Sequence, residues 1–164
     1  MSLSNQVYSN DKEKYFLQNG INLYTADQVV LGPNVVTDIF WTEQFVQTTG
    51  LIDIETDANN FVSLAKGIYT FNFTFQFQIV VADEDIEPEI IIYHANPIVG
   101  NTPVAIYTQR MVAQGDDPGV DRRFVPISVT IFMDINDFVY VTIQSTGGNT
   151  IPLLYSSCHI LAQN

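Results

Sequence analysis

The stretch FNFTFQFQI, running from Phe71 to Ile79, constrains the fold of this chain more than any other. Its strict alternation sends Phe71, Phe73, Phe75, Phe77 and Ile79 to one side of a β-strand and Asn72, Thr74, Gln76 and Gln78 to the other. A helix would scatter the same residues around its whole circumference. Burying each phenylalanine contributes about 1.5–3 kcal/mol, so the aromatic row needs a second sheet laid over it. A free edge strand could not satisfy that requirement.

The rest of the chain repeats the β-type pattern. From Val29 onward short apolar stretches alternate with turn residues, and no long window shows helical periodicity. Strands are expected at 28–31, 37–40, 45–47, 51–55, 60–64, 67–81, 89–94, 102–112, 122–133, 138–145 and 153–162. Turns are expected at Asn59, Gly100, the Gly115 to Gly119 segment, Asn136-Asp137 and Gly147-Gly148-Asn149. The expected fold class is therefore all-β, a jelly-roll sandwich of about ten antiparallel strands in two sheets. A length of 164 residues suits one such domain, placed at 26–164. Residues 1–25, polar and weakly periodic, are read as an N-terminal arm or irregular leading segment.

Charge and cysteine content narrow the partners. Eighteen acidic against six basic residues give a net charge of -12, which disfavours nucleic acids and anionic membranes. Apolar runs are too short to cross a bilayer as helices. Cys158 is the one cysteine, so neither an intrachain disulfide nor a cysteine-cluster zinc site can form. The opening MSLSNQVYSNDKEKYF lacks the basic and apolar regions of a secretory signal, so synthesis and folding in a cytosol are expected.

The polar face of the aromatic strand carries only amides and a hydroxyl, and from Phe124 to Asn164 the only charged residues are Asp134 and Asp137. Uncharged polar β-surfaces suit subunit interfaces, where a lone charge would lose hydration but an amide can hydrogen-bond across. Asn72, Thr74, Gln76, Gln78, Tyr140 and Thr142 are the expected interface residues of a homo-oligomer.

The stretch NFVSLAKGIYTFNF, with Phe61, Gly67, Ile68, Tyr69 and Phe71, resembles the central segment of the C1q/tumour-necrosis-factor-like jelly roll. Residues 131–143 resemble that family's strand, Gly-Asp turn and alternating valine strand, with Asn136 in place of the glycine before Asp137 and with Val139 and Val141 following. The terminal LYSSCHILAQ resembles its closing strand, although Ser157-Cys158-His159 departs from the usual aromatic-Ser-Gly-aromatic motif. Residues 1–25 carry no Gly-X-Y repeat of a collagen-like stalk. The resemblance covers residues 28–162 and implies a ten-stranded sandwich assembled as a homotrimer. Jelly rolls of this general kind also serve as capsid, decoration and fibre-head proteins of viruses and phages.

Candidate chemical sites are few. Asp83, Glu84, Asp85, Glu87 and Glu89 crowd five carboxylates into seven residues, and Asp116, Asp117 and Asp121 form a second acidic stretch. Calcium is the one cofactor such oxygen-rich loops could hold, solvated acidic loops being the simpler reading. Arg110, Arg122 and Arg123 flank the second stretch and suit either salt bridges or an anionic glycan, with Tyr93, Tyr107 and Trp41 as sugar-stacking rings. Adjacent strand residues Cys158 and His159 face opposite ways, and a pairing of Cys158 with His94 has no supporting motif. Asn72-Phe73-Thr74 matches a glycosylation acceptor but lies mid-strand. Hydrolase, nucleotide-binding and zinc-protease motifs are absent.

A non-enzymatic structural or attachment module follows: a homotrimer on the surface of a virion or similar particle, in contact with capsid or other particle proteins. The alternatives are an extracellular module of the same fold that binds a receptor or glycan, and a carboxylate-dependent jelly-roll enzyme.

Overall fold

The computed structural model describes residues 20–46, 51–54, 59–80, 88–97, 100, 102–111, 120–146 and 150–163. Twelve strands run through them: β1 (Gly20–Ala26), β2 (Val29–Leu31), β3 (Val36–Asp38), β4 (Thr42–Val46), β5 (Ile52–Ile54), β6 (Asn60–Ser63), β7 (Gly67–Val80), β8 (Pro88–Ala95), β9 (Val104–Arg110), β10 (Val120–Met133), β11 (Phe138–Ser145) and β12 (Ile151–Gln163). They form two six-stranded sheets. The first has the order β10-β7-β12-β1-β4, with β2 also paired to β12, and the second the order β5-β6-β11-β8-β9, with β3 also paired to β11. The strand pairings within both sheets are antiparallel. This is the expected all-β jelly-roll sandwich, with twelve strands rather than about ten.

Strand β7 is the aromatic strand, and it lies inside the first sheet between β10 and β12. Tyr69, Phe71, Phe73, Phe75 and Phe77 are all buried. Their rings run along the strand as a ladder, Phe71 stacking on Phe73 at 6.0 Å and Phe73 on Phe75 at 5.9 Å. The second sheet meets them with Phe61 of β6, 5.8 Å from Phe71 and 6.3 Å from Phe73. Trp41, in the segment that crosses from β3 in the second sheet to β4 in the first, closes on Phe61 at 5.4 Å and on Phe73 at 5.8 Å. Val139, Val141, Ile143, Ile90 and Ile92 complete the inner face of the second sheet. Such mutually tilted and offset rings pack more favourably than their buried area alone accounts for.

The end of the leading segment departs from expectation. Gly20–Ala26, all but its last residue within the stretch 1–25 read as an arm, forms β1 between β12 and β4. GINLYTA alternates too weakly to announce a strand, and its strand character comes from hydrogen-bonding neighbours on both sides rather than from local propensity. Tyr24 fixes its register by pointing into the core, 4.9 Å edge-on to Phe61. Residues 1–19 lie outside the described residues.

The β10–β11 turn is tied down by Asp137, a buried carboxylate. It accepts from the backbone N–H of Asp134 at 3.0 Å, from His94 Nε2 at 2.9 Å and from the side-chain amide of Asn96. Asn136 sits at φ 68°, a left-handed conformation that asparagine tolerates better than most residues. The Asn136-Asp137 pair thus makes the turn expected of it, without the glycine of the resembled family.

Two outcomes follow from the packing. Phe73→Ala removes the ring that contacts both Trp41 and Phe61 and is expected to lower stability by about 3–5 kcal/mol in urea unfolding. Tyr69 donates its hydroxyl proton to the carbonyls of Leu51 at 2.9 Å and Ala65 at 2.5 Å, and burial pushes its pKa from the ordinary 10.0 up to about 12. Between those values the unfolded chain gives up this proton before the folded one does, so stability is full below pH 10 and falls as pH rises toward 12. Tyr69→Phe should cost about 1–3 kcal/mol at neutral pH and flatten that alkaline decline.

Candidate functional site

The two sheets bury their inner faces against each other, so function must reside on the outward faces, the edges and the loops. On the first sheet, register decides what stands beside the amide row of β7. Gln78 is opposite Arg122, Gln76 opposite Phe124, Thr74 opposite Pro126, Asn72 opposite Ser128, Thr70 opposite Thr130 and Ile68 opposite Phe132. On its other flank Tyr155, Ser157, His159, Leu161 and Gln163 of β12 face the same way. Phe124 is 62% exposed and Phe132 51%, and Ile68, Tyr155 and Leu161 are exposed as well. Of the described outward side chains on β7, β10 and β12, Arg122 alone carries a full charge, and it lies at one end.

Part of the polar row is already satisfied within the sheet. Ser128 Oγ donates to Asn72 Oδ1 at 2.8 Å, and the hydroxyls of Thr70 and Thr130 are hydrogen-bonded at 2.9 Å. These cross-strand pairs stiffen the surface and reduce what the amides could offer a neighbour. Exposed rings and aliphatic side chains, rather than amides, therefore dominate the binding potential of this face.

The six residues expected at an interface do not share one surface. Asn72, Thr74, Gln76 and Gln78 lie on the outward face of the first sheet, whereas Tyr140 lies outward on β11 of the second, across the whole sandwich, and Thr142, of the same parity, is buried beneath its neighbours. Charge depletion pointed to both strands because it carries no information about which sheet a strand joins. Phe124 and Phe132, the most exposed rings of the first face, are not among the six residues expected at an interface. The signal was present in FVPISVTIFM, where apolar residues occupy both parities of the strand.

Outward on the second sheet, Tyr140 of β11 pairs with Tyr93 of β8. Their rings stack 4.9 Å apart at 13°, with Phe138 at 6.1 Å from Tyr140. Burial first, then the neighbouring Tyr93 phenol and the Asp38 carboxylate, push the Tyr140 hydroxyl above its ordinary range.

The arginines and tyrosines grouped as ligand candidates also separate. Arg110 and Arg123 line a cleft of about 350 Å³ between β9 and β10, together with Gln109, Met111, Phe124, Val125 and Pro126. Arg122 has the opposite parity and joins the outward face of the first sheet. Tyr93 belongs to the aromatic stack, and Tyr107 donates to Gln109 Oε1 at 2.8 Å. The cleft already holds its charge in check, since Arg110 Nε donates to Glu89 Oε1 at 2.7 Å.

Asp83, Glu84, Asp85, Asp116 and Asp117 lie outside the described residues, as does the side chain of Asp121. Among the described residues no group of three or more carboxylate, histidine or cysteine side chains could hold a metal ion. Cys158 is fully buried on the inner side of β12 and His159 is exposed on the outer side, while His94 is engaged by Asp137. Trp41 is core. Among the described residues no helix is long and apolar enough to cross a membrane.

Neither a scan against protein-family models nor a search of curated proteins finds a match. Solved structures do match. Eiger TNF from S. frugiperda superposes with a TM-score of 0.65 at 10% identity, covering 90% of this chain and 94% of that one. Murine APRIL at pH 8.0 gives 0.59 at 9% identity over 87% of this chain and 98% of that one, and its structure at pH 5.0 gives 0.59 at 8% over 88% and 98%. The fold is the tumour-necrosis-factor-like jelly roll. At such low identity the tumour-necrosis-factor-like likeness concerns the backbone path, and the surfaces above are this chain's own.

Burial pushes the Cys158 thiol well above its ordinary range. Iodoacetamide at pH 8 is therefore expected to leave Cys158 unmodified in the folded protein and to alkylate it readily in denaturant, read by intact-mass spectrometry.

Proposed function

We propose that this chain is a non-enzymatic structural or attachment module that works as a homotrimer on the surface of a virion or similar particle. The observation that carries the reading is the outward face of the first sheet. Phe124, Phe132, Ile68, Tyr155 and Leu161 stand exposed on it around an uncharged polar centre. A soluble protein with a charge of -12 has acids to spare for its surface, yet none reaches the outward side chains described on β7, β10 and β12. That segregation fits a surface covered by further copies of the chain, where apolar contact drives association and a buried unpaired charge would oppose it.

The jelly-roll backbone shared with Eiger TNF and APRIL supports the homo-oligomeric reading. Display on a particle accords with a domain whose only cysteine is locked in the core, so that its stability does not depend on a disulfide. The acidic balance supports solubility of the assembled particle surface.

Light scattering coupled to size-exclusion chromatography should give a mass about three times the 18.4 kDa of the chain at micromolar concentration. Phe124→Asp, which places a charge on the outward face without touching the core, should yield a folded monomer. A wild-type monomer, or a trimer indifferent to Phe124→Asp, would contradict the proposed surface.

A further inference from the structure

The outward face of the second sheet carries a feature that assembly through the first sheet leaves unused. Tyr93 and Tyr140 are stacked in parallel and continued by Phe138, all three half-buried although they point away from the core. Carboxylates stand on the same face, Asp38 nearest the rings. Asp38 of β3 is opposite Thr142, the next residue of the same parity as Tyr140 along β11. Asp53 of β5 is opposite Val62, which in turn is opposite Phe138. Both acids are exposed. On β9 the basic side chain of this face, Arg110, is joined to Glu89 at 2.7 Å. Among the described residues no basic side chain forms a salt bridge with Asp38.

We propose that this face docks a protein partner through an arginine side chain laid over the Tyr93–Tyr140 stack with its charge held by Asp38. The chemistry selects arginine because its planar guanidinium can lie on an aromatic ring and fork toward a carboxylate at once, which an ammonium group cannot do. Charge complementarity argues for the same occupant. A chain of net charge -12 attracts basic segments from a distance, and Asp38, close enough to act on the Tyr140 hydroxyl, focuses that attraction on the platform. Aromatic side chains that are stacked in the free protein lose little freedom on binding, which makes them effective anchors. The inference does not depend on oligomeric state, because the platform lies within one protomer and on the sheet opposite the proposed assembly face.

The test uses an acetylated, amidated hexa-arginine peptide labelled for fluorescence anisotropy at physiological ionic strength, with the full-length protein. Binding should weaken about tenfold in Tyr140→Ala and in Tyr93→Ala, and survive in Tyr140→Phe, which keeps the ring. Asp38→Asn should weaken it about threefold. Asp27→Asn, which removes the same charge from an exposed position between β1 and β2, should leave it unchanged. The proposal is overturned if the peptide does not bind, if both alanine variants bind as the wild type does, or if Asp27→Asn weakens binding as much as Asp38→Asn. Circular dichroism confirms folding of each variant, and should Tyr140→Ala not fold, Tyr93→Ala and the two aspartate variants still decide the matter.

Discussion

The contact between the phenylalanine ladder of β7 and the pair Phe61 and Trp41 holds the two sheets together, and the rest of the structure depends on it. Phe61 belongs to the second sheet, Phe71 and Phe73 to the first, and Trp41 to the segment that passes between them. Once these rings meet, the parity of every neighbouring strand is set. A one-residue slip of β10 against β7 would send Phe124 and Phe132 inward and Val125, Ile127 and Met133 outward, so the buried ladder dictates the exposed surface as well.

The chemistry of the two outward faces then diverges. Strands β7, β10 and β12 present rings, hydroxyls and amides, with hydrogen bonds from Ser128 to Asn72 and between Thr70 and Thr130 already closed. Strands β3, β5, β8, β9 and β11 present a stacked aromatic platform among carboxylates. An uncharged apolar surface favours copies of itself, while an acidic aromatic one favours a basic partner. Under the proposed function the sandwich therefore separates its roles by sheet, with one sheet for assembly and the other for contact with what lies outside.

Much of the fold was legible in the sequence because it rests on period-two patterning. FNFTFQFQI announces both the buried face and its partner sheet, and the likeness of residues 61–71 to the tumour-necrosis-factor-like jelly roll agrees with the backbone superposition. Strand β1 was not legible, since GINLYTA is held by β12 and β4 rather than by its own pattern. The interface reading joined Tyr140 and Thr142 to the β7 row because charge depletion reports composition and not sheet membership. Tyr93 was recognised as a ring able to stack, but its partner Tyr140 lies 47 positions away in sequence, and only the β8–β11 register joins them. Arg122 and Arg123 are neighbours in sequence, yet Arg122 stands on the sheet face and Arg123 lines the β9–β10 cleft.

The central claim is that the outward face of the first sheet is covered by further copies of the chain while that of the second stays open. Hydroxyl-radical footprinting of the purified protein, read by mass spectrometry at concentrations above and below association, tests this most directly. The account predicts that Phe124, Phe132 and Tyr155 are labelled in the dilute protein and protected in the concentrated one, with Tyr93 and Tyr140 labelled equally in both. Equal labelling of Phe124 and Phe132 at the two concentrations, or protection of the Tyr93–Tyr140 pair in their place, would contradict it.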